Sequence, residues 1–493
     1  MGWFSRKKAA PVEVPRKRTF AGAQSTARLN DFRWSNLSAD SELESVLTIL
    51  RGRARNLERN SPHAKRYIQL MQDNIVGPNG FSLQVRAAAF DGKSKALDVY
   101  GNAEIERMWK DWGRTSTADG LMDVTEMERM IVRTWSRDGE VIIQRRRGKK
   151  YGKLGLAYRF IEADQLDETL NRVYPGSKNR IRMGVEIDED ERPVAYHLLT
   201  QHPGDNVWLA GNNRKYIRVP AAEIIHVYVK SRPGQTRGIP PMSVVMGDMQ
   251  MLGGYRDAEI TNRRGAAAKM GFFERDADSG PVAGVADAET DDGQFEMEVE
   301  PGKMTVLPTG YKFNSFDASG SSTDYVGFER QIIRSIATGL GPSYFDLGMD
   351  LEDVSYSSIR QGALSDRDFY RGMQSFFISR AMMPIYVDFL NHALDFGDSG
   401  IPPRRFDKFF EASTFRPRGW SWVDPEKEVN AAIKAREGRM NSITRIVADQ
   451  GGDFEDIAAE IAQEEQALAA LGIPVVTKNE VAKQDVAKTE PVK

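Results

Sequence analysis

A chain of 493 residues with 40% hydrophobic and 28% charged side chains can build packed cores, and at ~150 residues per domain it amounts to about three domains. Its 68 Lys and Arg stand against 70 Asp and Glu, which excludes a protein that coats nucleic acid by bulk neutralisation. The absence of cysteine excludes disulfides, thiolate metal sites and Cys nucleophiles, and five histidines (His63, His197, His202, His226, His392) leave little imidazole for metal or acid–base chemistry. There is no apolar run of about 18 residues and no apolar segment behind the basic start, so no bilayer span or secretory signal is expected. The chain reads as soluble and intracellular in type.

Residues 1–37 form a basic arm with prolines at 11 and 15; it reads as solvated and flexible, or else as a segment that docks on an acidic partner or nucleic acid. From Asp40 helical spacing begins with Leu43, Val46, Leu47 and Leu50, and continues through Leu57, Ala64, Tyr67, Ile68 and Met71 to a stop at Gly77, Pro78 and Gly80. Residues 81–89 alternate as a strand, and helices are predicted over about 98–113 and 124–136. Five short β segments follow, in EVIIQRRR, LAYRFIEA, RMGVEID, RPVAYHLL and EIIHVYV. The acidic run Asp188–Glu191 lacks the spaced alternation of a calcium loop and reads as a solvated hairpin tip. A Pro/Gly-dense turn, 232–242, launches a helix in which Met242, Val245, Met246, Met249 and Leu252 recur at helical spacing.

Residues 274–300 carry ten acidic residues and one arginine, a small β-containing insert in which FEMEVE and, after Gly302, KMTVL alternate as strands. A second helix starts near Ser322–Asp324, with Phe328, Ile332, Ile336 and Leu340 as a four-residue stripe. After a loop, the longest helical pattern runs from Ser357 to about Leu394, about 57 Å at full length, with a kink expected at Pro384. Three helical pieces and a polar, disordered tail from 474 complete the chain.

Searching for chemistry yields little. The GKS at 92–94 has Ala87 where a P-loop needs glycine, GKM at 302–304 lacks the magnesium-binding hydroxyl, and GLGPSY follows a helix and lacks the third glycine of the dinucleotide motif. No G-x-S-x-G elbow or HExxH pair occurs, so no cofactor and no metal ligand set is predicted, and His226 reads as a satisfied residue within a strand. The abundant carboxylates leave an acid–base pair open.

Several segments, in order along the chain, carry a resemblance. They are RARNLERNSPHAKRYIQLMQDNIVGPNG (53–80), GVEIDEDERPVAYHL (184–198), IIHVY with RPGQTRGIP (224–240), SYSSIRQGAL (355–364) and WSWVDPEKEVNAA (420–432). Together they resemble the lambda-type family of tailed-bacteriophage portal proteins; where that family has Asn before the Tyr-Ser-Ser-x-Arg run, this chain has Ser355. The resemblance implies an α+β portal fold assembling as a ring: a wing (38–239), stem helix 1 (240–268), a β-containing clip (269–321), stem helix 2 (322–341), a tunnel loop (342–356), a long kinked wing helix and following segment (357–419) and a helical crown (420–473). It implies a non-enzymatic DNA channel at one capsid vertex for packaging and ejection, in the virion, assembled in the host cytoplasm. The expected partners are further copies of the chain (a dodecamer), double-stranded DNA read without sequence specificity, terminase, the head–tail connector, the major capsid protein and scaffold, with no membrane.

Twelve helices side by side at about 10 Å would enclose a bore of about 28 Å, wide enough for a duplex. The site residues expected from this are Leu347 and Met349 as an apolar rim and Asp350, Glu352 and Asp353 as acidic groups near DNA, with Phe295, Met297, Val299 and Lys303 as the docking strands of the clip. Two other readings remain open at this stage: a capsid or connector protein without DNA passage, and a metal-dependent nuclease using clustered carboxylates.

Overall fold

The computed structural model describes residues 35–89, 97–174, 176–205, 215–267, 271–275, 311–315, 325–352, 355–420 and 425–471. Helix α1 (Ala39–Leu43) is capped by the Ser38 hydroxyl, and α2 (Leu47–Asn60) leads directly into α3 (Pro62–Ile75). Ser61 ends one helix and caps the next, and Pro62 fills a first-turn position that needs no amide donor. The Asp98 side chain caps α4 (Val99–Gly113), while Asp123 and Glu126 form a reciprocal capping box on α5 (Val124–Asp138).

Strand β1 (Ser82–Val85) pairs with the distant β12 (Ser413–Arg416). A central three-stranded antiparallel sheet has the order β3 (Leu156–Ile161), β2 (Glu140–Arg147), β9 (Ile224–Tyr228). Beside it, β4 (Arg172–Val173), β5 (Arg180–Arg182), β6 (Val185–Ile187), β7 (Pro193–Leu199) and β8 (Tyr216–Pro220) form an antiparallel meander. The acidic tip between β6 and β7 is a turn closed by its own side chain: Asp188 Oδ1 accepts hydrogen bonds from the amides of Asp190 and Arg192.

Helix α6 (Met246–Ala267) follows the Pro-rich turn, β10 (Gly271–Arg275) pairs with β11 (Tyr311–Ser315), and α7 (Tyr325–Leu340) returns. Then come α8 (Tyr344–Gly348), α9 (Tyr356–Phe377), α10 (Met383–Phe396), α11 (Phe406–Glu411), α12 (Pro425–Glu437), α13 (Ile443–Asp449) and α14 (Phe454–Ala470). The kink expected at Pro384 takes the form of a π-helical turn, Ile378–Met382, immediately before it. Widening the turn relieves the clash of a proline ring with the preceding carbonyls and absorbs its missing amide.

One core joins α3, α4, α5, β2, α9 and α10 around Tyr67, Trp109, Trp112, Tyr386 and Phe389. Trp109 meets Phe389 edge-to-face, at 5.0 Å between ring centroids and 88° between planes. A smaller core lies under the meander, with Ile142, Val185, Tyr196 and Val219. On α7 the buried positions are Ile333, Ile336, Ala337 and Leu340, so the expected stripe faces the core only at its C-terminal end and Phe328 is left open.

Candidate functional site

Two long helices, the turn that launches the first and the short segment that follows the second make up the candidate site. The contacts between α6 and α7 run in opposite order along the two helices. Arg263 lies over the Tyr325 ring, Tyr255 stacks on Tyr325, Arg256 pairs with Glu329, and the Ser335 hydroxyl meets Asp248, so the helices are antiparallel. The pair is closed on one side only. Val244 and Met251 are 70% and 73% exposed, and Ile260, Val326 and Phe328 are exposed as well.

The root of α6 is fixed by a buried charge cluster. Arg237, wholly buried, donates from Nε and Nη2 to the carboxylate of Glu140, and from its Nη atoms to the carbonyls of Leu166, Met183 and Ala163. Glu140 also accepts from the Gly238 amide at 3.0 Å and lies 3.0 Å from His226 Nε2, with Arg51 Nη1 at 3.5 Å. Burial alone pushes the Glu140 carboxyl up, but Arg237 and His226 together hold it well below the usual carboxylate range. Gly139 and Gly238 sit backbone against backbone: a Cβ on either would fall 2.2 Å from a main-chain atom of the other segment.

Beyond α7, the segment expected as a plain loop contains α8, and this corrects one of the expected rim residues. Ser343 caps α8, the Arg66 guanidinium on α3 donates to the Asp346 carbonyl at 3.1 Å, and Leu347 is turned into the main core, 1% exposed. Leu347 is therefore packing. Met349 closes the helix with φ +53° and is 71% exposed, and Leu351 is exposed beside it. Asp350 accepts the Tyr344 hydroxyl at 2.5 Å and Arg330 Nε at 3.0 Å, while Glu352 takes the other arm of Arg330. The Tyr344 hydroxyl and the Glu352 amide, with Arg330 behind them, keep Asp350 below the ordinary carboxylate range, and desolvation together with Asp350 pushes Tyr344 up to about 12. Asp353 and the expected clip residues Phe295, Met297, Val299 and Lys303 lie outside the described residues.

Ser355, in the place of the family's Asn, accepts from the Ser358 amide and caps α9, an exchange between two good N-cap residues. Two motifs that are far apart in sequence also meet: Asn74 Oδ1 accepts from Trp420 Nε1 and from Arg418 Nη1, both at 3.1 Å.

Sequence reasoning missed Arg66, Arg330 and Tyr344, because each acts through a partner on another element. It also missed the group Glu162, Asp164 and His202, whose ligand atoms lie within 4.8 Å of one another. Asp164 there accepts Arg55 Nη2 at 2.5 Å, and Arg51 Nη2 lies 3.4 Å away. The cluster is thus a charge-paired junction in which guanidinium groups already stand beside the carboxylates. No helix among the described residues is long and apolar enough to cross a membrane.

A sequence model described as "Phage portal protein, lambda family" matches residues 25–374. The chain is 34% identical over 476 residues to a probable portal protein of Halomonas phage phiHAP-1, covering 94% of this chain and 90% of that one. It is 24% identical over 474 residues to portal protein B of Escherichia phage lambda, covering 88% and 87%. Among solved structures, one titled "Neck of native GTA particle computed with C12 symmetry" aligns with a TM-score of 0.43 at 12% identity, over 80% of this chain and 91% of that chain, a likeness too distant to bear on assembly.

Proposed function

The chain belongs to the lambda family of phage portal proteins, a structural component of the virion, and from that premise we propose that twelve copies close into a ring at one capsid vertex through which double-stranded DNA is packaged and ejected. Residues 38–239 and 357–419 serve as wing, α6 and α7 as stem, 269–321 as clip, 342–356 as tunnel loop and 420–473 as crown. Terminase and then the head–tail connector dock on the clip through Phe295, Met297, Val299 and Lys303. The major capsid protein and scaffold meet the wing during assembly in the host cytoplasm. The chain itself performs no catalysis, and the work of packaging comes from a separate ATPase.

The observation that carries this reading is the one-sided packing of the α6–α7 pair. An antiparallel pair that leaves Val244, Met251, Ile260, Val326 and Phe328 open to water is suited to burial against a second copy. In a head-to-tail ring each copy uses two different faces, so open side chains on both helices are what closure requires.

The loop after α7 supports a constriction that does not grip. Met349 and Leu351 supply an apolar rim in place of Leu347. Asp350, Glu352 and Asp353 present carboxylates to DNA, with Arg330 compensating Asp350 and Glu352, so that no cationic surface holds the phosphates.

Negative-stain microscopy of purified protein tests the proposal, the expected images being rings with a duplex-wide opening. A solitary particle, or a disc without a hole, overturns it. Incubation of purified protein with DNA and divalent metal is expected to leave the DNA intact, and cleavage would favour the nuclease reading instead.

A further inference from the structure

Residues 145–159 hold seven basic side chains and no acidic one, in a chain whose net charge is −2. They form the end of β2, its turn and the return along β3. Strand alternation divides them between two faces. On one face Arg145 donates to Asp388 at 2.6 Å and Arg147 to Glu223 at 2.6 Å; in the turn, Lys153 pairs with Asp398. These three cations are spent on the fold.

The other four have no acid partner: Lys150 lies over the Tyr151 ring, 4.9 Å from its centroid, and Arg146 and Lys150 donate to the Tyr151 hydroxyl, so no carboxylate neutralises them. Arg159 stands opposite Gln144 in the ladder, on the same face as Arg146, and Lys149 and Lys150 project from the turn. None of Arg146, Lys149, Lys150 and Arg159 has a carboxylate within 4.0 Å among the described residues. Arg146 and Arg159 border a shallow hollow of about 450 Å³, together with Thr117, Asp119, Tyr151 and Phe160. The one acid there, Asp119, is engaged by the Thr117 hydroxyl at 2.6 Å and the Leu121 amide at 3.1 Å.

We propose that this hairpin is a contact site for the phosphate backbone of duplex nucleic acid, made by Arg146, Lys149, Lys150 and Arg159 and separate from the loop between α7 and α9. The chemistry favours a nucleic acid over an acidic protein. Protein interfaces have an apolar or aromatic centre, and residues 140–161 expose no large apolar side chain. Phosphate-binding surfaces are cationic, polar and wet, and the hairpin has those properties. The site takes its ligand from the reading of the chain as a DNA-handling protein, but it requires neither a ring nor a bore. It also complements the loop: one surface lets the duplex pass, the other holds it.

Four phosphate contacts predict a salt slope of about −3.6, or roughly a 150-fold loss of affinity between about 50 and 200 mM salt. The test is fluorescence anisotropy of a labelled duplex of about 30 bp on the full-length protein over that salt range. The R146A/K149A/K150A/R159A variant is expected to lose at least about 100-fold in affinity at the low-salt end and most of the slope. K178A, at an exposed lysine elsewhere, is expected to bind like the parent. K149A/K150A alters only the exposed turn and is expected to lose about half of the slope, which keeps the test informative should the fourfold variant melt early.

Unchanged binding by a folded fourfold variant overturns the inference while leaving the ring proposal standing. Displacement of the duplex by poly-glutamate at equal charge concentration also overturns it, in favour of an acidic protein partner. Loss of binding in a protein that forms no ring sustains the inference and removes the ring.

Discussion

Trp109 and Phe389 in the main core, and Val244 and Met251 at the start of the α6–α7 pair, are all large apolar side chains, yet they live under opposite conditions. The first two are enclosed by aromatic neighbours from three elements, α4, α10 and β12, and the buried charges around Glu140 are matched from several directions. The other two stand open to water, Met251 on α6 and Val244 on the turn that launches it, where packing is on one side only. A region whose contacts are complete within one chain draws its stability from that chain. A region packed on one side must gain its remaining contacts from outside the chain, in the proposed ring from another copy. Substitutions should therefore separate folding from assembly according to where they fall.

The largest effects should come from the closed region. E140A removes the carboxylate shared by Arg237, Arg51 and His226 and should cost about 3–5 kcal/mol, read as a lowered denaturant midpoint. F389A empties an aromatic site and should cost a similar ~3–5 kcal/mol. Either variant melting like the parent would break the contrast. In the open region, M251D should leave the melting of the single chain within about 0.5 kcal/mol while abolishing the large species in light scattering. Intact oligomers would show that this face of α6 is not an interface.

Smaller effects sharpen the picture of the loop and the meander. D350N removes the anion that Tyr344 donates to, so the Tyr344 phenol should titrate below about 12 while staying above an ordinary tyrosine because of desolvation. NMR of labelled tyrosine reads that shift.

Glu186 titrates at about 2, lowered first by its hydrogen bonds from Arg218 against some burial and then by Asn179 and His197. Its folded value is depressed, so its contribution is complete above the unfolded value near 4.3 and is lost as pH falls from there toward 2. E186Q should flatten that part of the pH–stability curve.

How much of this could be read from the residues depended on how local the determinant is. The helix over about 124–136, the stop at Gly77 and the acidic hairpin tip are set by neighbours within a few positions, and all were legible. The kink before Pro384 was legible too, but its π-turn form was not, since that depends on how the surrounding helices take up one extra residue.

The loop shows the limit more sharply. In DLGMDLED apolar residues alternate at 347, 349 and 351, and the pattern cannot say which is turned inward. Arg66, 280 positions earlier, settles it by pinning the Asp346 carbonyl and drawing Leu347 into the core. The meeting of Glu140 with Arg237, across 97 positions, is equally invisible to periodicity. The basic hairpin was read only as a strand, because the split between spent and unspent cations depends on acids contributed by α10 and by the turn before β9.

Where Gly139 touches the Gly238–Ile239 peptides there is no room for a side chain, and therefore no soft cushion between the central sheet and the root of α6. Flexible side chains absorb small twists, whereas peptide groups in direct contact pass them on. Torque applied along α6 would thus arrive at β2 almost undiminished, with the Arg237–Glu140 pair acting as the rivet beside the joint.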